Sequence, residues 1–194
     1  ETNDCSFTDN SFGEDWADSS VASSSDESYS DEDSGPAHYD HYGSGLSFDY
    51  PKDWELQEND ASARVGVFSP DGTTIVLFAT AYTLPARADP ESQGPALFAS
   101  AAGALKKLLK DEVGVDASLT ASQGPFDADG ITAQDLSGTA TKAQGGKAYL
   151  RVRLFISKGA VHAMIGMAKD SSSLDEGSDA DSIFSSVQTI SDTQ

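Results

Sequence analysis

A single cysteine, Cys5, is all the thiol in this chain of 194 residues. One cysteine allows neither an internal disulfide nor a cysteine-based metal site. Histidine is almost as scarce, with three, and no apolar run approaches the ~18 to 20 residues that a membrane span requires. Basic residues are few as well: 12 Lys and Arg stand against 32 Asp and Glu, for a formal net charge of −20. A chain so acidic repels phosphate backbones and lacks the clustered basic face that nucleic-acid binding needs, so nucleic acid is excluded as a partner. Catalytic signatures are missing too. No Gly-x-Ser-x-Gly elbow, Walker loop, dinucleotide fingerprint or His-Glu-x-x-His occurs, which points away from an enzyme and calls for no cofactor or metal.

What charge there is lies unevenly. Residues 1–45 hold 12 of the acids and no Lys or Arg, so the remainder carries 20 acids against 12 bases, a balance of −8. Runs such as Ser23-Ser24-Ser25-Asp26-Glu27-Ser28 and Asp31-Glu32-Asp33-Ser34 offer no apolar period to bury. They cannot offset the entropy of ordering, and the composition predicts an acidic tether over 1–45 followed by a single domain over 46–194. A flexible tether of that length reaches roughly 35 to 40 Å before self-repulsion extends it. Phe7, Phe12 and Trp16 read as scattered linker aromatics. Cys5 is not placed as a lipidated cysteine would be, since Thr2, Asn3 and Asp4 precede it. The start at Glu1, without methionine, suggests a signal peptide or anchor upstream, hence an extracytoplasmic, secreted or cell-surface bacterial protein that meets a membrane only through such an anchor.

From Leu46 the pattern alternates. Leu46 to Tyr50 predicts a strand that Pro51 stops; Trp54 to Gln57, Arg64 to Phe68 and Thr74 to Tyr82 predict three more, the last two joined by a Ser69-Pro70-Asp71-Gly72 turn. Pro95 is expected to open a helix whose Leu97, Phe98, Ala101, Leu105, Leu108 and Leu109 share a face, with Lys106, Lys107 and Lys110 near its negative end. Ala117 to Gln123 and Ile131 to Thr141 read as strands, the second polar enough for an edge, divided by Gly124-Pro125-Phe126-Asp127-Ala128-Asp129-Gly130, which reads as a turn. The hairpin Ala148 to Ala168 has the most self-consistent register. With Lys158-Gly159 as a two-residue turn, Ile156, Leu154, Val152 and Leu150 face Val161, Ala163, Ile165 and Met167. A helix capped by Ser178, with Ala180, Ile183, Phe184, Val187 and Ile190 on its stripe, closes the chain.

The other face of that hairpin supplies the candidate site. Tyr149, Arg151, Arg153, Phe155 and His162 form a strip of guanidinium and aromatic groups, the side-chain types that carry interface energy; the competing account has the arginines lying over the sheet and pairing with local acids. His38 and His41 are too few for a metal site. A hydrolytic set built from Ser157, His162 and Asp135 has no motif behind it.

The order of these elements, together with Tyr50-Pro51-Lys52-Asp53-Trp54 near the start and Ile183-Phe184-Ser185-Ser186-Val187 in the last helix, resembles the PsbP/Mog1 superfamily and its bacterial PsbP-like envelope lipoproteins. The resemblance spans about residues 45–190. It implies an α+β fold, a twisted antiparallel β-sheet flanked by helices in an α/β/α sandwich. It also implies a non-enzymatic binding or assembly domain that engages a protein or cell-envelope component. The alternative is a carrier of a small apolar ligand or lipid, held between the sheet and the Leu97 to Leu109 helix.

Overall fold

The computed structural model describes residues 35–59, 64–122, 124–143 and 145–190. Most of the expected tether, with Cys5, Phe7, Phe12 and Trp16, lies outside them. The expected boundary at Gly45 falls too late, because Ala37–His41 is already a strand, β1, paired antiparallel with β2 (Leu46–Tyr50) from Ala37 opposite Tyr50 to His41 opposite Leu46. A short β11 (Gln188–Thr189) completes a three-stranded sheet ordered β1-β2-β11.

The larger sheet is antiparallel throughout. It contains β3 (Glu55–Asn59), β4 (Arg64–Phe68), β5 (Thr74–Thr83), β6 (Val115–Ala121), β8 (Ile131–Lys142), β9 (Lys147–Ser157) and β10 (Ala160–Ala168), in the order β3-β4-β5-β10-β9-β8-β6, with β7 (Phe126–Ala128) also paired to β8. All nine residues of β10 are buried, as its central position beside the apolar β5 demands. The hairpin register is the expected one: Ile156, Leu154, Val152 and Leu150 stand opposite Val161, Ala163, Ile165 and Met167. Its turn has positive φ at both central residues, 45° at Lys158 and 70° at Gly159, the backbone twist that a two-residue connection requires.

Alternation divides the core between the two faces. Even residues of β9 and odd residues of β10, among them Leu150, Val152, Leu154, Val161 and Ile165, pack beneath α1 (Pro90–Leu108). Phe155, Met164, Val76 and Phe78 face the other way, against the small sheet and α2 (Asp179–Ser185). Each large apolar side chain so buried contributes about 1.5 to 3 kcal/mol. The helix that was expected to open at Pro95 opens at Pro90 instead. Pro90 takes the first helical position, where a missing N–H costs little, and Pro95 sits one turn further in. β8 is no edge strand, since β9 flanks one side and β6 and β7 the other. Val187 and Ile190, expected on the stripe of the terminal helix, both lie past its end, Ile190 beyond β11 as well. No described helix is long and apolar enough to cross a membrane.

At seven residues α2 is too short to persist alone, so its ends must be held by the rest of the fold. Ser178 caps it as expected, its Oγ accepting from the Asp181 amide at 3.1 Å. Ser186 Oγ accepts from the Asp49 amide at 2.8 Å and so ties the other end to β2. Ser178→Ala is expected to cost about 1 kcal/mol, read as a lower urea midpoint at unchanged slope.

Candidate functional site

The predicted strip is not one surface. Phe155 and His162 are core residues, 0% and 3% exposed. Arg153 lies inward along the sheet, its Nε and Nη2 donating to Asp135 Oδ1 and Oδ2 at 2.6 and 2.8 Å, its Nη1 reaching the Phe184 carbonyl at 3.3 Å, and its guanidinium lying over the Phe126 ring. Arg151 Nη1 donates to Asp181 Oδ1 at 2.7 Å and to the Leu174 carbonyl at 3.0 Å, with the guanidinium over the Phe184 ring. Both arginines therefore clamp α2 onto the sheet, and pairing with local acids accounts for them. Burial would raise the carboxyl pKa of Asp181, but the Gly177 amide and Arg151 outweigh it and hold that pKa below its usual value.

Ser157, His162 and Asp135 do not assemble. Ser157 Oγ donates to the Ser44 carbonyl at 2.7 Å, Asp135 is spent on Arg153, and His162 Nε2 meets the carbonyl of Ser157 rather than its hydroxyl, at 3.1 Å. A carbonyl only accepts, so Nε2 carries the proton and Nδ1 of the neutral ring accepts from Thr80 Oγ1 at 3.1 Å. Burial is the main cause that lowers the His162 pKa; the bond to Ser157 opposes it, and nearby His41 adds to it. The unfolded chain then binds a proton more readily than the folded one between the lowered value and about 6.5, so this histidine makes stability fall as pH falls through that window. His162→Gln is expected to flatten the fall; urea midpoints at pH 5, 6 and 7 for both proteins would show it.

His38 and His41, three apart on a strand, diverge. His38 bonds Asp49 at 2.5 Å and Asp40 at 3.2 Å, whereas His41 is buried beside Ser44 at 2.9 Å. Lys107, in the last turn of α1, pairs with Asp111, and Lys110, just past the end of α1, pairs with Asp116 at 3.1 Å, so two of the three clustered lysines are paired. Asp127 closes the expected turn by accepting from the Gly130 amide at 2.9 Å.

What the strip does contribute is a wall. α2 covers only part of its side of the sheet, and the bare remainder forms a groove of about 510 Å³ between β8, β9 and the Ser171–Glu176 segment. Tyr149 and Arg151 line it together with Ser137, Thr139, Asp175 and Glu176. Alternation puts Ser137 and Thr139 here, opposite Arg151 and Tyr149 across the β8–β9 ladder. The polarity that suggested an edge in β8 is that of an uncovered face. Asp175 and Glu176 stand out in the sequence only as acids before a helix start, a charge that the helix dipole favours by itself, so nothing there marks them as part of a groove. A second groove of about 420 Å³ lies between the Ser69–Thr74 turn and the start of α2, over Trp54.

No family model matches the sequence, and no curated protein does. Similarity lies in the structure. The chain is similar to the solution structure of cyanobacterial PsbP (CyanoP) from Synechocystis sp. PCC 6803, with a TM-score of 0.55 and 16% identity over 79% of this chain and 91% of that one. It is also similar to LpqN, involved in cell envelope biogenesis of Mycobacterium tuberculosis, with a TM-score of 0.45 and 18% identity over 81% and 86% of the two chains. A protein of Bacteroides thetaiotaomicron VPI-5482 gives a TM-score of 0.46 and 11% identity over 81% and 49%. The antiparallel sheet, the helices on its two faces and the match to CyanoP make the fold of this chain that of the PsbP-like proteins.

Proposed function

We propose that this chain is a non-enzymatic, extracytoplasmic binding domain that takes a segment of a partner protein or envelope component into the groove between β8, β9 and the Ser171–Glu176 segment. The observation that carries the reading is the bare sheet face itself: about 510 Å³ of concave space lined by both polar and apolar groups, on an antiparallel scaffold. The Ser/Asp-rich stretch before the domain supports placement outside the cytoplasm, since its composition is that of a spacer. The carrier alternative receives less support. Leu97, Phe98, Ala101, Leu105 and Leu109 are each 6% exposed or less and pack on the sheet, so the protein's own side chains occupy the place of an apolar ligand.

A photo-crosslinking residue at Ser137 in the groove, compared with one at exposed Gly103 on α1, tests the proposal in envelope extract. A discrete adduct from position 137 alone is expected. Equal labelling from both positions, or none from 137, would refute it.

A further inference from the structure

The charges of the groove define its occupant more narrowly. Arg151 and Asp135 both line it, but each is neutralised within the fold, by Asp181 and Arg153. That leaves Asp175 and Glu176, exposed on the rim, whose carboxylates form no ion pair or hydrogen bond among the described residues. An anionic ligand would meet two uncompensated carboxylates there, and the donors of Arg151 Nη1 are already committed to Asp181 and Leu174. The wall carries a second, independent mark. The ammonium of Lys147 sits over the Tyr149 ring at 5.4 Å from its centroid, so the negative face of the ring is already engaged by a cation. Hydroxyls of Ser122, Ser137, Thr139 and Ser171 share the remainder with Leu136, Leu150 and Leu174, so the backbone amides of an extended chain find partners and the apolar stem of a long side chain finds contact.

We propose that the groove receives a cationic peptide segment of a partner protein, one lysine or arginine side chain lying over Tyr149 in place of Lys147 and another reaching Asp175 and Glu176. The inference rests on the groove being the binding site and adds the chemistry of what enters it. Lys147 acts as the groove's own stand-in: it holds the Tyr149 face when the groove is empty and turns back to solvent on its exposed stem when a partner arrives. Because the carboxylates are on the rim, attraction is felt over about 8 Å at physiological ionic strength and fades with added salt.

The test is fluorescence anisotropy of the full chain with a labelled nonapeptide of alternating lysine and glycine, against the same peptide with acetylated lysines. Binding of the lysine peptide alone is expected. Asp175→Asn with Glu176→Gln should weaken it about three- to tenfold, and Tyr149→Leu should also weaken it. Glu55→Gln with Glu58→Gln, on the edge strand at the far side of the sheet, removes the same charge and should leave it unchanged. Equal binding of the acetylated peptide, equal loss from the far-edge pair, or no binding by the wild-type chain would overturn the proposal. The Ser137 crosslink separates this failure from that of the groove reading: an adduct without lysine-peptide binding leaves the groove and removes the cationic occupant.

Discussion

Gly138→Ala is expected to destabilise the protein by about 3 kcal/mol, an unusually large effect for one methyl group on a partly exposed strand. A Cβ at this position would stand 1.7 Å from the Ser118 carbonyl oxygen and 2.8 Å from its carbon. Those atoms are backbone of β6, where Leu119 pairs with Gly138, so no side chain can swing aside. β6 must retreat and give up part of its ladder with β8, and the floor of the groove, to which Gly138 belongs, loosens with it. Gly103 supplies the opposite case. It lies within α1, and a methyl group added there would meet nothing within 4 Å beyond the backbone of its own helix, so Gly103→Ala is expected to stabilise by roughly 0.5 to 1 kcal/mol through helix propensity. Urea denaturation of the two variants would decide the matter, and a Gly138→Ala protein within ~0.5 kcal/mol of wild type would contradict the close approach of β6.

The elements most legible in the sequence were those whose side-chain period left one answer. In β9 and β10 a slip of one residue would turn Leu150, Val152 and Leu154 out of the core, and the register found is the one that keeps them in. β1 gave no such signal. Ala37–His41 reads as polar chain between acidic and glycine-rich stretches, and its order comes from elsewhere: the pairing with β2, the Tyr39 ring 5.4 Å from Phe48 and the His41 ring 5.0 Å from Phe78. β7 was hidden for a similar reason, since three residues have no period of their own and pair only because β8 is beside them. The groove was beyond sequence altogether. Its walls come from β8, β9 and the Ser171–Glu176 segment, and what makes it a groove is that α2 ends after seven residues and leaves a face uncovered.

Asp135→Ala is expected to cost about 3 to 5 kcal/mol, as much as deleting a large core side chain. Both members of the Arg153–Asp135 pair are 14% exposed, so removing the carboxylate strands a guanidinium away from water. The loss comes from the stranded charge more than from the pair. Replacing both partners, Asp135→Leu with Arg153→Met, is therefore expected to restore stability to within ~1 kcal/mol of wild type. The restored protein should still differ in one place. Arg153 also donates to the Phe184 carbonyl near the C-terminal end of α2, where a positive charge complements the helix dipole. Neither leucine nor methionine supplies that donor, so amide exchange in α2 should quicken in the double variant while exchange in β10 stays slow. Equal protection of α2 in the double variant and wild type would show that Arg151, Ser178 and Ser186 hold the helix unaided, leaving Arg153 to serve the sheet alone.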